Sequence, residues 1–192
     1  MGKSRMEAFS DGVIAIIITV MVLELTVPSG ASWAALRQTV PALLTYVLSF
    51  SYLAIYWNNH HHMLHAIERV DGAALWANLH LLFWLSLVPF VTAWMGQNHF
   101  AAAPTTAYGA VLLLAAIAYH VLQQRLMVAN GPGSRLRAAI GRDLKGRLSP
   151  MLYLIAIAAA LLGARWLSYA VYVAVALIWL VPDRRIESTL AD

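Results

Sequence analysis

Six apolar segments separated by polar links make up most of this 192-residue sequence. Because a helix rises about 1.5 Å per residue, roughly 20 apolar residues cross the ~30 Å hydrocarbon core of a bilayer. Hydrophobic residues make up 61% of the chain and charged residues 11%, whereas about a quarter of a soluble domain is charged. We therefore expect one all-α membrane domain over 1–192, with membrane-spanning helices at about 6–26, 34–62, 72–96, 104–128, 149–164 and 167–182.

The links between these segments contain the residue types that end helices. Pro28-Ser29-Gly30 follows the first segment, and Gly131-Pro132-Gly133 lies in the longest polar loop, from Asn130 to Leu148. Gly163 separates the two short last segments, and Pro182 follows the sixth. The second segment is longer than a bilayer requires, so we expect it to tilt or to project from the membrane.

Lys and Arg are distributed unevenly between the two sides that six spans create. Eleven of the 13 lie on the side of the chain termini, and only Arg37 and Arg165 lie on the other. Positive residues accumulate in cytoplasmic loops, so we expect both termini in the cytoplasm. Glu24 is then the one acidic residue on the outer side. The basic loop 134–147 is explained as a topology signal that contacts lipid headgroups, so no nucleic-acid partner is expected.

The first segment is more polar than a simple anchor would be. It carries Arg5, Glu7, Ser10 and Asp11 at one end and Glu24 at the other. Ionisable groups inside a span are expensive, so they face a partner or water by default. These residues therefore mark the first helix as the functional part of the chain.

One stripe of the first segment has the composition of a pore lining. Its members are Gly12, Ile16, Thr19, Leu23 and Thr26, at spacings of 4, 3, 4 and 3, which place them on one helical face. Apolar rings can gate a pore by dewetting, and rings of oxygen can replace part of the hydration shell of an ion. An apolar helix can also carry such a stripe by chance and pack it against its neighbours, so both interpretations are open at this point.

The sequence contains none of the usual catalytic motifs. It has no Cys, no His-Glu-x-x-His, no Gly-x-Ser-x-Gly and no phosphate-binding glycine loop, which argues against an enzyme and against a Cys-based metal site. The densest polar cluster runs from Trp57 to His65. There His61 and His65 are four residues apart and share a helical face that could hold a transition metal.

No carboxylate or Cys stands at ligand spacing from this histidine pair, so we predict no metal site and expect the histidines to form hydrogen bonds with their neighbours. Titration near neutral pH is a third role open to them, because unperturbed histidine changes its charge there.

Three motifs carry a family resemblance over about the first 95 residues. The first is Arg5-x-x-x-Phe9-Ser10-Asp11-Gly12-Val13-x-Ala15-Ile16-x-x-Thr19-x-x-x-Leu23-Glu24. The second is Trp57-x-x-His60-His61, and the third is Asn78-Leu79 with Leu87-Val88-Pro89-Phe90-x-Thr92. This pattern resembles the transmembrane protein 175 family of potassium channels. The second half of the chain matches only in being apolar and helical.

The resemblance implies a homotetramer of the bacterial type, with one six-helix unit per chain and the first helices around a central pore. The sequence has no internal repeat, so it resembles the bacterial members and not the animal relatives, which carry two such units per chain. Like the family, it lacks the Thr-Val-Gly-Tyr-Gly filter of ordinary potassium channels. Carried over by motif, Ile16 matches a narrow hydrophobic constriction and Thr19 a hydroxyl ring linked with potassium preference. Leu23 matches a further pore-facing layer, and Gly12 and Thr26 extend the same face.

The resemblance also implies a polar network that braces the first helix. Its members are Arg5 and Asp11, with Ser10 beside them, together with Trp57 and one of His60 or His61. Arg5 and Asp11 are six residues apart and do not meet well along one helix, so we expect their partners on another helix. The competing interpretation places Asp11 in the pore as a cation site.

The resulting expectation is a passive, modestly potassium-selective channel in a bacterial inner membrane, without a cofactor and with K⁺ and lipids as its partners. Glu24 would concentrate cations at the outer mouth. The alternatives are a proton channel or a secondary transporter that uses Asp11 and the His60–His65 cluster. A transporter is disfavoured because inverted repeats with broken helices are typical of that class, and the sequence shows no such repeats.

Overall fold

The computed structural model describes residues 2–140 and 143–180, and all regular structure in these two ranges is helical. The all-α prediction is therefore confirmed for this part of the chain. The eight helices described there are α1 Lys3–Leu23, α2 Trp33–His65, α3 Gly72–Ser86, α4 Val88–Gln97, α5 Ala102–Asn130, α6 Arg135–Ile140, α7 Leu144–Leu161 and α8 Arg165–Leu180.

Five stretches are long and apolar enough to cross a membrane by length and composition. They are α1, α2, α5, α7 and the consecutive pair α3 and α4, taken together as Gly72–Gln97. The last helix, α8, is equally apolar but is shorter, at 16 residues. The predicted sixth span reaches residue 182, so its end lies outside the described residues. Pro182, Arg142, Arg184 and Arg185 also lie outside them.

The predicted third segment is two helices and not one. The helix breaks at Leu87, whose N–H bonds to Trp84 O at 3.2 Å, and α4 restarts with Pro89 in its first turn. Proline has no N–H, and its ring clashes with the carbonyl four residues earlier, so a continuous helix through residue 89 is disfavoured.

The first helix ends earlier than predicted, and this corrects the assignment of Thr26. Glu24 is the C-cap of α1, and its N–H bonds to Val20 O at 3.2 Å. Thr26 lies in the irregular link after that cap. The helical spacing that placed Thr26 on the stripe with Ile16 and Leu23 therefore does not apply to it.

The second helix extends to His65 and includes the whole histidine cluster. Ser32 begins this helix as its N-cap, because its hydroxyl accepts a hydrogen bond from Ala35 N at 3.2 Å. The polar loop after α5 is shorter than predicted. It contains the short helix α6, and α7 begins at Leu144, with Asp143 Oδ1 accepting from Gly146 N at 2.9 Å.

The core is built around α5, which packs against α3, α4, α7 and α8. Hydroxyl groups link the helices where they cross. Ser49 of α2 lies 2.7 Å from Thr92 Oγ1 of α4 and 2.9 Å from the Tyr108 hydroxyl of α5. Gly109 lets α5 approach α8 closely, because a Cβ at this position would collide with the hydroxyl of Tyr172.

Helix α1 lies at the edge of this bundle and contacts only α2, α3 and α4 among the described helices to an appreciable extent. It runs antiparallel to α2, because Glu7 faces His61 and Asp11 faces Trp57. One long face of α1 is therefore not covered by the rest of the chain.

Candidate functional site

The two faces of α1 have different environments. The buried face consists of Met6, Ser10, Ile14, Ile17 and Met21, at intervals of three or four residues. This spacing keeps one stripe of the helix against α2, α3 and α4. The bundle therefore fixes the rotation of α1 about its own axis.

The residues predicted to line a pore lie on the opposite face. Gly12 and Thr19 are exposed, and the exposed fractions of Ile16 and Leu23 are 64% and 78%. A Cβ at Gly12 would meet no atom within 4 Å. Packing within one chain therefore does not explain this stripe, which leaves it available to a pore, to lipid or to another copy of the chain.

The Thr19 hydroxyl donates a hydrogen bond to the carbonyl of Ala15 at 2.9 Å. This bond within the helix uses the hydroxyl hydrogen and leaves the oxygen lone pairs to face outward. At this position α1 therefore presents an acceptor, which is the group that a cation requires.

An open groove of about 580 Å³ runs between α1 and α4. Ile16, Val20 and Glu24 line it from α1, and Phe90 and Gln97 line it from α4. Its walls are mostly apolar, and Glu24 lies at one end. Ile16 therefore sits at the border between the exposed stripe and this groove.

A buried chain of polar groups holds the other face of α1. The Ser10 hydroxyl donates to Met6 O at 2.8 Å and accepts a hydrogen bond from Asn78 Nδ2 at 2.9 Å. The amide oxygen of Asn78 lies 2.8 Å from His60 Nε2. This chain joins α1, α3 and α2 in the interior, where an unpaired polar group is costly.

A second polar cluster lies nearer the surface, along the α1–α2 contact. The indole N–H of Trp57 donates to Asp11 Oδ1 at 3.0 Å. The ring of Trp57 stacks on that of His61 with a centroid distance of 6.0 Å. His61 Nδ1 lies 3.2 Å from Glu7 Oε1, and His65 Nε2 lies 3.9 Å from the same oxygen.

The predicted network is thus present as two separate groups, and Arg5 belongs to neither. Ser10 and His60 are in the buried chain, and Asp11, Trp57 and His61 are in the surface cluster. Arg5 is exposed and pairs with no other described residue of its own chain. The expected pairing of Arg5 with Asp11, Trp57 or a histidine is therefore wrong within one chain, because Arg5 lies on the uncovered face of α1.

Two participants were missed by the sequence analysis. Asn78 was noted only as part of a motif, and Glu7 was not considered as a partner for the histidines. The statement that no carboxylate stands near His61 and His65 is also wrong, because Glu7 reaches them from another helix. The available signal was periodicity: Glu7 and Asp11 are four residues apart, as are Trp57, His61 and His65.

Comparison with known proteins places this arrangement in a family. Residues 5–89, which contain α1 from Arg5 onward and every member of both polar groups, match the profile of "Endosomal/lysosomal potassium channel TMEM175". A "Potassium channel" of Chryseobacterium sp. (strain P1-3) is 50% identical over 192 residues, covering all of both chains. The chain belongs to the TMEM175 family.

Structural and more distant sequence matches agree with this assignment. The crystal structure of a "lysosomal potassium-selective channel TMEM175 homolog" from Chamaesiphon minutus matches with a TM-score of 0.79 and 30% sequence identity, covering 93% of this chain and 96% of that one. The human "Endosomal/lysosomal proton channel TMEM175" is 36% identical over 96 residues, or 43% of this chain and 19% of the human protein.

Membership of the TMEM175 family identifies the chain as a multi-pass membrane protein of a class of ion channels and not of enzymes. The matched range includes every residue that the first helix contributes to the exposed stripe and to the polar groups. The candidate site is therefore α1 together with the α2 and α3 residues that hold it.

Proposed function

We propose that this chain is the subunit of a passive cation channel that modestly prefers potassium and is lined by the exposed face of α1. The observation that carries the proposal is the division of α1 into two faces. One face is fixed by the bundle and by the Ser10–Asn78–His60 chain, and the other leaves Ile16 and Leu23 uncovered. The potassium channels named among its relatives support the choice of ion.

Selection would take place at the narrow apolar ring that Ile16 forms around the pore axis. An ion that passes an apolar neck must shed part of its hydration shell, and potassium sheds water at a lower free-energy cost than sodium. Such a filter discriminates less than a set of carbonyl oxygens does, so the preference is modest. Thr19 and Leu23 form the next two layers, and the absence of a side chain at Gly12 widens the opposite end.

A pore of this kind requires several copies, and we propose a homotetramer. A single α1 on the edge of its own bundle encloses nothing, and its stripe and the α1–α4 groove remain open. A closed ring around one axis would bury both features in a symmetric assembly. We further propose six spans per chain, with both termini in the cytoplasm, and an inner-membrane location; the bacterial relatives support a bacterial membrane protein.

The outer mouth would carry Glu24. This residue is exposed at the C-cap of α1 and borders the same groove as Gln97. A ring of carboxylates raises the local cation concentration, and dissolved salt screens that effect. Glu24 would therefore increase conductance mainly at low ionic strength.

Asp11 would brace the helix and not ring the pore. It is half-buried, and Trp57 of α2 donates a hydrogen bond to it at 3.0 Å. A charge inside a span is stabilised by such a donor, and the bond turns the carboxylate toward α2. The stripe at Gly12 and Ile16 then faces the axis without a charged group beside it.

Flux from liposomes that contain the purified protein tests this proposal directly. The liposomes carry a potassium gradient and contain no added ionophore. We expect passive cation efflux that needs no substrate and favours potassium over sodium. Empty liposomes from the same preparation are the control. Efflux that saturates and requires a coupled ion would indicate a carrier and contradict the proposal.

Proton conduction is the second candidate function. The human relative is named a proton channel, and titratable Glu7, Asp11, His61 and His65 lie along one side of the α1–α2 contact. A pH-sensitive dye inside the same liposomes distinguishes the two functions. Acidification that follows the proton gradient in the absence of potassium would support the proton pathway.

A further inference from the structure

The second polar cluster brings three metal-binding side chains together at one end of the α1–α2 contact. Glu7 comes from the first turns of α1, and His61 and His65 come from the last turns of α2. One ligand atom from each, Glu7 Oε1, His61 Nδ1 and His65 Nε2, lies within 4.8 Å of the others. We propose that these three residues form a binding site for a divalent transition metal such as Zn²⁺, separate from the pore proposed along the exposed face of α1.

The separations of the donor atoms suit a tetrahedral ion. Ligand atoms that are bound to Zn²⁺ at about 2.0–2.2 Å lie ~3.4 Å from one another. The observed distances from Glu7 Oε1 are 3.2 Å to His61 Nδ1 and 3.9 Å to His65 Nε2. The third pair, His61 Nδ1 and His65 Nε2, lies within 4.8 Å. Side-chain rotations that shorten the two longer separations would bring all three donors to one ion.

The types of ligand favour a transition metal over calcium or magnesium. Two imidazoles and one carboxylate are the set that zinc uses in many sites, whereas the hard cations prefer oxygen ligands alone. Imidazole also suits copper and nickel, so the site selects a class of metals and not one element. Three protein ligands leave a fourth position for water.

The rings are held in place by groups beyond the three ligands. The indole of Trp57 stacks on His61 with an interplanar angle of 21°, and Trp57 in turn donates a hydrogen bond to Asp11 at 3.0 Å. The rings of His61 and His65 meet edge to face at 4.3 Å. Such contacts restrict the rotation of the two imidazoles, which lowers the entropic cost of binding an ion.

An ion can reach this site from solvent. The exposed side-chain fractions are 23% for Glu7, 38% for His61 and 50% for His65. His65 also borders an open cavity of about 440 Å³ that is lined by Glu68, Asn130 and Ser134. The cluster is therefore both partly desolvated, which strengthens binding, and accessible at its outer edge.

A bound metal would clamp the start of α1 to the end of α2. These two segments are already joined by the Lys3 Nζ to Ile67 O hydrogen bond at 3.1 Å and by the pairs with Glu7. Binding to the folded state alone raises the stability of the protein in proportion to the logarithm of metal concentration. The proposal thus concerns the support of α1 and does not depend on which ion the channel conducts.

A proton could take the place of the metal ion, because a protonated histidine pairs with Glu7 without any metal. Titration of the tag-free full chain in detergent with Co²⁺ separates the two, because four-coordinate cobalt absorbs visible light and an ion pair does not. Zn²⁺ then displaces the cobalt in a competition titration. The variants are Glu7→Gln and His65→Ala, with His62→Ala as the matched control one residue outside the set of ligands.

We expect one saturable cobalt site per chain with tetrahedral absorption, and a rise in melting temperature with added Zn²⁺. Removal of an outer partner typically weakens a site about 10–100-fold. We therefore expect Glu7→Gln and His65→Ala to weaken binding by at least as much, with His62→Ala unchanged. Absence of saturable binding, or equal binding in wild type and His65→Ala, would overturn the proposal.

Discussion

Asn78 is the residue at which the buried support of α1 converges. Its side chain is 2% exposed and bonds to Ser10 on α1 and to His60 on α2. His60 Nδ1 already has no hydrogen-bond partner within the described structure, so Asn78 provides the only such bond to its ring. A single amide therefore connects three helices on the side of α1 that faces away from the exposed stripe.

Replacing Asn78 with Ala should destabilise the protein. The change leaves the His60 ring without a partner and removes the bond to Ser10, and a buried group left unsatisfied costs about 1–3 kcal/mol. Thermal unfolding in detergent, followed by tryptophan fluorescence, measures the effect. Asn98→Ala is the control, because Asn98 is exposed and its side chain bonds only to the carbonyl of Trp94 in the adjoining helix α4. Equal melting temperatures for wild type and Asn78→Ala would show that the amide is not a support.

For single residues, the sequence was a better guide to which side chains belong to the polar groups than to which partners they contact. The cost of a charge in a span drew attention to Asp11, and the motif drew attention to Trp57, which lies 3.0 Å from it. Spacing placed Glu7 on one helical face and His61 on another, but it did not show that these faces meet or that Arg5 lacks a partner. Both depend on how α1 is rotated against α2, and that rotation is set by buried Met6, Ile14 and Ile17.

Helix α1 is one of several described helices with an uncovered apolar face. Such a face meets lipid, a water-filled path or another copy of the chain. Ile16 on α1 and Ile155 on α7 are similar in exposure, at 64% and 53%. Accessibility to an aqueous ion distinguishes a water-filled path from lipid, because lipid excludes a charged reagent.

Silver ions provide this test, since Ag⁺ is close to K⁺ in size and binds thiolates tightly. The chain has no Cys, so each introduced thiol is unique. We expect Ag⁺ to block flux through Ile16→Cys and to leave Ile155→Cys and wild type unaffected. If the two Cys variants respond alike, Ile16 faces the same environment as Ile155 and α1 does not line the pathway.

The helices themselves were largely predictable, because each apolar segment is bounded by residues that end helices. The predicted helix bounds are wrong where a local feature, such as a proline or a helix cap, ends a helix inside an apolar segment. Pro89 divides the third segment into α3 and α4, and the cap at Glu24 stops α1 before Thr26. The short helix α6 was hidden in a polar loop, because six residues are too few to show a periodic pattern.

The described helices form a bundle centred on α5, and α1, which carries the longest motif of the sequence, lies at the edge of this bundle. The edge position and the uncovered stripe of α1 are explained if α1 meets other copies of itself. We expect native mass spectrometry of the detergent-purified protein to give four chains per particle. A monomer that still conducts cations would require a pore within one chain and would contradict the tetramer.

The most direct measurement compares ion preference in wild type and Ile16→Asn by the reversal potential with potassium on one side of a planar bilayer and sodium on the other. Ile16→Leu keeps the neck apolar and serves as the control. We expect wild type and Ile16→Leu to favour potassium, and Ile16→Asn to conduct more current with a reversal potential close to zero. A reversal potential that is the same in Ile16→Asn as in wild type would contradict selection at an Ile16 constriction.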